Sequence, residues 1–147
     1  MRHVPASAMA GVDRAVMERA LKEQCLPELR RAGFKGSFPN LYRDTGGFVA
    51  LVNFQFYSSG GNFCVNLSYA DPNRKNISSR PETPARDLTV SQAREHRRLG
   101  AVHGDRWFTF GPTSAGEFRG EPVQPAELTK IINGLWLEAE GWWQSKR

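Results

Sequence analysis

Between residues 38 and 69, three β-rich runs alternate with two glycine pairs, and no other stretch constrains the fold of this chain as much. The runs cover 38–43, 48–57 and 62–69, separated by Asp44-Thr45-Gly46-Gly47 and Ser58-Ser59-Gly60-Gly61. Tight hairpin turns need positive backbone φ, which glycine adopts without a steric penalty. Two such turns between runs rich in Val, Phe and Tyr predict an antiparallel β-meander. Side chains alternate between faces along a strand. Phe48, Ala50, Val52, Phe54 and Phe56 therefore share one face of the long strand, and Phe63, Val65, Leu67 and Tyr69 share one face of the next. Asn53, Gln55 and Asn66 fall on the opposite, polar side.

An isolated meander with one apolar face is not stable, so helices must cover that face. Asp13 is placed to cap a helix whose apolar positions are Val16, Met17, Ala20, Leu21, Cys25, Leu29 and Ala32, at spacings of three and four. Pro27 lacks a backbone donor and predicts a kink or break near 23–27, and Gly33 reads as the stop. Pro125 opens a final helix with Leu128, Ile131, Ile132, Leu135, Ala139 and Trp142 on one stripe. That phase turns Trp142 inward and leaves Trp136 and Trp143 partly exposed. Between sheet and final helix, 71–89 reads as a long loop with three prolines, 91–99 as a short helix, 106–110 as a fourth strand and 111–122 as another loop. The expected fold class is α+β: an antiparallel sheet of four or more strands, a β-meander, packed on one face by N- and C-terminal helices. One domain is expected over 13–147, preceded by a flexible leader at 1–12.

At 147 residues, the chain can bury one core without metal or disulfide staples. Hydrophobic residues at 39% and charged residues at 24% place it outside the disordered class. No run approaches the length of a membrane-spanning helix, and the first residues lack the apolar centre of a signal peptide, so the expected location is the cytoplasm. Cys25 and Cys64 have apolar neighbours and read as buried, reduced thiols. A net charge of +5 permits an acidic partner, either nucleic acid or protein, but the cations are spread along the chain.

Two sets of residues stand out. Amide side chains are disfavoured in strand centres, so Asn53, Gln55 and Asn66 either line a binding surface or tie down whatever covers them. Arg98, Asp105 and Trp107 form the second set, in which an Arg98–Asp105 pair orders the loop leading into the fourth strand. The other signals are weaker. His96 and His103 lack the companions of a zinc site and read as surface histidines. The glycine pairs fit neither phosphate-binding pattern, and neither cysteine has a cationic neighbourhood. No catalytic residue, metal ligand or cofactor-binding residue is assigned, and no cofactor is expected.

Several short motifs occur in a recognisable order: Gly33-Phe34-Lys35, Tyr42-Arg43, Asn53-Phe54-Gln55, Gly60-Gly61-Asn62-Phe63, Val65-Asn66-Leu67, Arg98-Leu99-Gly100 and Trp107. In this the chain resembles the bacterial family of proteins carrying the DUF4304 domain, over about residues 13–110. The likeness implies no activity, because no biochemical function is attached to that family. The expected function is non-enzymatic protein binding through the exposed sheet face and the 71–89 loop, in a partner-regulating or immunity-like role. The alternatives are a nucleic-acid-binding module using the basic 74–98 stretch and, further off, a small-molecule enzyme.

Overall fold

The computed structural model describes residues 13–147, so the leader expected at 1–12 lies outside the described residues. Helix α1 (Arg14–Gln24) starts where the Asp13 carboxylate accepts the Val16 N–H at 3.1 Å. The chain breaks at Cys25 and resumes as α2 (Leu26–Arg31), with Pro27 in its first turn, where a missing N–H has no helical partner to lose. Met17, Leu21, Cys25 and Leu29 are all buried, as their spacing requires, whereas Val16 and Ala32, at the two ends of the expected stripe, are exposed.

The sheet is antiparallel throughout. Its strands are β1 (Lys35–Ser37), β2 (Asn40–Thr45), β3 (Phe48–Phe56), β4 (Asn62–Ala70), β5 (Arg97–Arg98) and β6 (Phe108–Thr109). They lie in the order β1-β2-β3-β4-β5, with β6 also pairing with β4. The α+β class and the meander at its centre are therefore as expected. One further short strand, β1, precedes the meander and pairs with its first strand, β2.

The final helical segment differs from expectation. It is split into α3 (Pro125–Asn133) and α4 (Trp136–Lys146). Asn133 holds the junction, donating to the Gln24 carbonyl and accepting the Trp136 indole N–H, both at 2.9 Å. The break resets the helical phase, so Trp143, rather than Trp142, becomes the buried indole. Trp143 is 2% exposed, while Trp142 is only partly buried.

Four helices and one sheet face enclose the main core, which runs from Met17 and Leu21 through Val52, Phe54, Phe63 and Val65 to Leu128, Ile132 and Trp143. A second, smaller core lies on the other side of the sheet. There the segment 71–93 folds back as an ordered cover, and its Ile77, Leu88, Val90 and Ala93 pack on Val49, Leu51 and Ala70. The cover is pinned at its start. The Asp71 carboxylate accepts the N–H groups of Asn73, Lys75 and Asn76, and Arg74 reaches the Gly47 carbonyl at 2.7 Å. The helix expected at 91–99 does not form. A 3₁₀ turn (Val90–Gln92) ends there, and β5 follows, because the outer edge of β4 offers unpaired backbone groups that the chain satisfies by adding a strand.

A polar cluster ties the end of α4 to this cover. Glu95 accepts the Tyr69 hydroxyl at 2.8 Å and pairs with Lys146 at 2.6 Å. The hydrogen bonds from Lys146 and Tyr69 hold the Glu95 carboxyl below the ordinary value of 4.5. Burial, reinforced by the hydrogen bond and charge of Glu95, pushes Tyr69 up to about 12. A depressed carboxyl contributes stability above its unfolded value and loses it as pH falls through the folded value; a raised phenol contributes below its unfolded value and loses it on the way to about 12. Glu95→Gln is expected to flatten the acid limb of a stability-versus-pH curve below about 4.5. In an ultraviolet titration of the folded protein, it should also lower the Tyr69 transition without restoring it fully, because burial remains. An unchanged Tyr69 transition would exclude the coupling.

Candidate functional site

Two glycine turns set the registers that build the site. Asp44 accepts the Gly47 N–H at 3.0 Å and closes the β2–β3 turn, so that Thr45 faces Phe48 and Asn40 faces Asn53. The second turn places Asn53 opposite Asn66, and β5 adds Arg98 opposite Asn66. Asn40, Asn53, Asn66 and Arg98 thus form one row across four strands, with Gln55 and Cys64 paired in the adjacent position. The row lies on the face opposite the helices, where the apolar cover ends. It floors an open cleft of about 880 Å³ whose lining also includes Thr89, Ser91, His96 and Asp105.

The amides are hydrogen-bonded in series. Asn66 Nδ2 donates to Asn53 Oδ1 at 3.0 Å and to Gln55 Oε1 at 2.8 Å, and Asn53 Nδ2 donates to Asn40 Oδ1 at 2.9 Å. The Cys64 thiol points at Gln55 Oε1 and Asn66 Oδ1, each at 3.7 Å. Asn53, Gln55 and Asn66 therefore brace one another rather than a covering segment, and they line an open concavity. The 71–93 segment covers the sheet face only up to Val49 and Leu51, so the exposed part of that face is the amide-bearing end.

Arg98, Asp105 and Trp107 come together beside this row. Arg98 Nη1 donates to Asp105 Oδ1 at 2.6 Å, Trp107 Nε1 donates to Asp105 Oδ2 at 3.2 Å, and the guanidinium lies over the Trp107 ring at 5.0 Å. A carboxylate below and an indole alongside hold the guanidinium in one orientation. Trp107 in turn meets Tyr57 edge-on at 6.0 Å, and Arg119 covers the Tyr57 ring at 4.5 Å. All six residues singled out in the sequence thus lie in one region, five lining the cleft and Trp107 supporting Arg98 from behind.

Sequence reasoning did not identify Asn40 or His96 as parts of the site. Asn40 was detectable, since counting back from the Gly46-Gly47 turn places it opposite Asn53. His96 was not, because only the tertiary fold brings it to the cleft. Its Nε2 sits 2.6 Å from the Ala93 carbonyl, which can only accept, so that nitrogen carries hydrogen. Cys25 and Cys64 are buried and unpaired with each other. Burial, with Glu28 adding to it, pushes the Cys25 thiol up to about 12. For Cys64, burial raises the thiol to about 11 against the lowering effect of Arg98. Neither is a ready nucleophile. No group of three or more His, Cys, Asp or Glu residues able to hold a metal occurs among the described residues, and no helix among them is long and apolar enough to cross a membrane.

No curated protein and no solved structure matches the chain. Residues 25–116 match the family described as Domain of unknown function (DUF4304), a span that takes in the meander, the cover and every residue named at the cleft. The chain belongs to the DUF4304 family.

Proposed function

We propose that this chain is a non-enzymatic binding domain of a bacterial cytoplasm that holds a segment of a partner protein in the cleft on the polar face of its sheet. The observation that supports this reading is the amide row. Asn and Gln side chains neither titrate nor attack carbonyl centres, but they match the donor and acceptor pattern of a polypeptide backbone. The cleft is wide and polar, unlike the enclosed, largely apolar pockets that take small ligands. The 71–93 segment, itself fastened to the sheet, supplies one wall, so a bound segment lies between a rigid floor and a rigid side.

The basic 74–98 stretch gives less support to nucleic-acid binding. Arg74 is turned to the Gly47 carbonyl, Arg97 pairs with Glu138 at 3.3 Å and Arg98 pairs with Asp105. Lys75, Arg80, Arg86 and Arg94 are exposed, but they lie on the 71–93 cover and the turn after it and line no part of the cleft, so the stretch offers phosphates no built groove.

Selection from a displayed library of random peptides tests the reading. Enriched peptides are expected to shift the backbone amide resonances of Asn53, Gln55 and Asn66, and Gln55→Ala should weaken them about 5- to 10-fold, as expected for the loss of a hydrogen bond. Gln55 is exposed and outside both cores, and Asn66 Nδ2 keeps its second acceptor, Asn53 Oδ1 at 3.0 Å, when Gln55 is truncated. Peptides that bind only elsewhere on the surface would overturn the proposal.

A further inference from the structure

Each amide oxygen on the cleft floor already has a donor within reach. Asn40 Oδ1 accepts from Asn53, Asn53 Oδ1 from Asn66, Gln55 Oε1 from Asn66, and the single Cys64 S–H is within reach of Asn66 Oδ1 at 3.7 Å. The groups without a partner among the described residues are donors: the Nδ2 of Asn40, the Nε2 of Gln55, and the Nε and Nη2 of Arg98. None of these is sealed in the interior. The floor groups that make no hydrogen bond are therefore N–H groups, although each amide by itself carries both a donor and an acceptor.

Arg98 adds charge and geometry. Its Nη1 is committed to Asp105, which leaves the Nε–Nη2 edge, a two-pronged fork matched to a carboxylate, directed by the Trp107 stack. Arg97 does not compete at this spot, because its side chain crosses to the helix side and meets Glu138. The cleft thus holds one oriented guanidinium whose charge is already shared with Asp105. That suits a monoanion. A phosphate dianion or a nucleic-acid backbone would need further cations, and the floor has none.

We propose that the cleft recognises an acidic side chain of the partner segment, its carboxylate seated on the Nε–Nη2 edge of Arg98 with Gln55 Nε2 and Asn40 Nδ2 donating to neighbouring carbonyls. This rests on the cleft being the place where a partner segment binds. The overall charge of +5 favours the approach of such a segment.

The test uses the full chain and the peptides selected on it, each synthesised with an amidated C-terminus and in a second, likewise amidated form with Asp and Glu replaced by Asn and Gln. Neutralising the peptide is expected to weaken binding to the unaltered protein at least 10-fold, and to weaken binding to Arg98→Gln less than about 3-fold. Arg98→Lys, which keeps the charge and loses the fork, should fall between the two. The peptide substitutions leave the protein untouched, so the first comparison stands even if Arg98→Gln folds poorly. Cleft-binding peptides that tolerate neutralisation would overturn the carboxylate assignment and leave the binding reading standing. Absence of any cleft-binding peptide would remove both. Displacement of the peptides by a short RNA oligonucleotide at lower concentration than by an acidic peptide would overturn the assignment in favour of a polyanion.

Discussion

Trp143→Ala is expected to lower the stability of this domain by about 3 to 5 kcal/mol, the range for removing a buried indole from a packed core. Trp143 is 2% exposed, packs on Phe34 with ring centroids 5.4 Å apart, and donates its indole N–H to the Ser68 carbonyl at 2.8 Å. Arg43 lies over both rings, at 4.6 Å from Phe34 and 5.5 Å from Trp143, and binds Glu140 with two hydrogen bonds of 2.7 and 2.8 Å. Truncating Trp143 therefore opens a cavity, orphans a carbonyl on β4 and removes one face of the Arg43 seat. These losses fall on the contact that fastens α4 to the sheet. The neighbouring Trp142→Ala removes a partly buried ring that meets Tyr69 edge-on at 5.7 Å and should cost about 1 kcal/mol. Urea midpoints at constant m-value measure both changes. Equal losses at the two positions would show that the break between α3 and α4 does not set the helical phase described here.

Gly61→Ala is the second large effect, at about 3 kcal/mol or more. Gly61 has φ +82°, and a Cβ there would sit 2.5 Å from the Gly111 carbonyl oxygen and 2.8 Å from the Pro112 carbonyl. Those are backbone atoms, so relief requires moving the chain itself. The Gly61 carbonyl also accepts the Phe110 and Gly111 N–H groups at 2.9 and 3.3 Å, so any shift disturbs the junction that carries β6. Gly60 provides the control. Its φ is +84°, but a Cβ would find nothing closer than 4.0 Å, so Gly60→Ala should show only the conformational term, about 1 to 2 kcal/mol. Thermal unfolding of the two variants separates strain from collision. A Gly61→Ala loss no greater than that of Gly60→Ala would remove the collision argument.

The meander, the polar placement of Asn53, Gln55 and Asn66, and the break near Pro27 were all determined by local sequence. Strand alternation has a period of two, glycine turns fix register within a few residues, and a proline removes a specific donor. None of these needs distant contacts. The transition from Val49 and Leu51 to Asn53 and Gln55 along one face even marked where the apolar cover would stop. Tertiary structure decided the rest. Residues 91–99 have no strong intrinsic preference, and an open β4 edge, remote in sequence, recruited Arg97 and Arg98 as a strand. The final helix broke because Asn133 found partners in Gln24 and Trp136, which exchanged the roles of Trp142 and Trp143. The cleft arose in the same way: local pattern put amides on a face, but only the assembled sheet brought a donor within reach of each amide oxygen, left N–H groups unpaired and set Arg98 beside them, because hydrogen bonds across strands depend on neighbours that the chain meets only after folding.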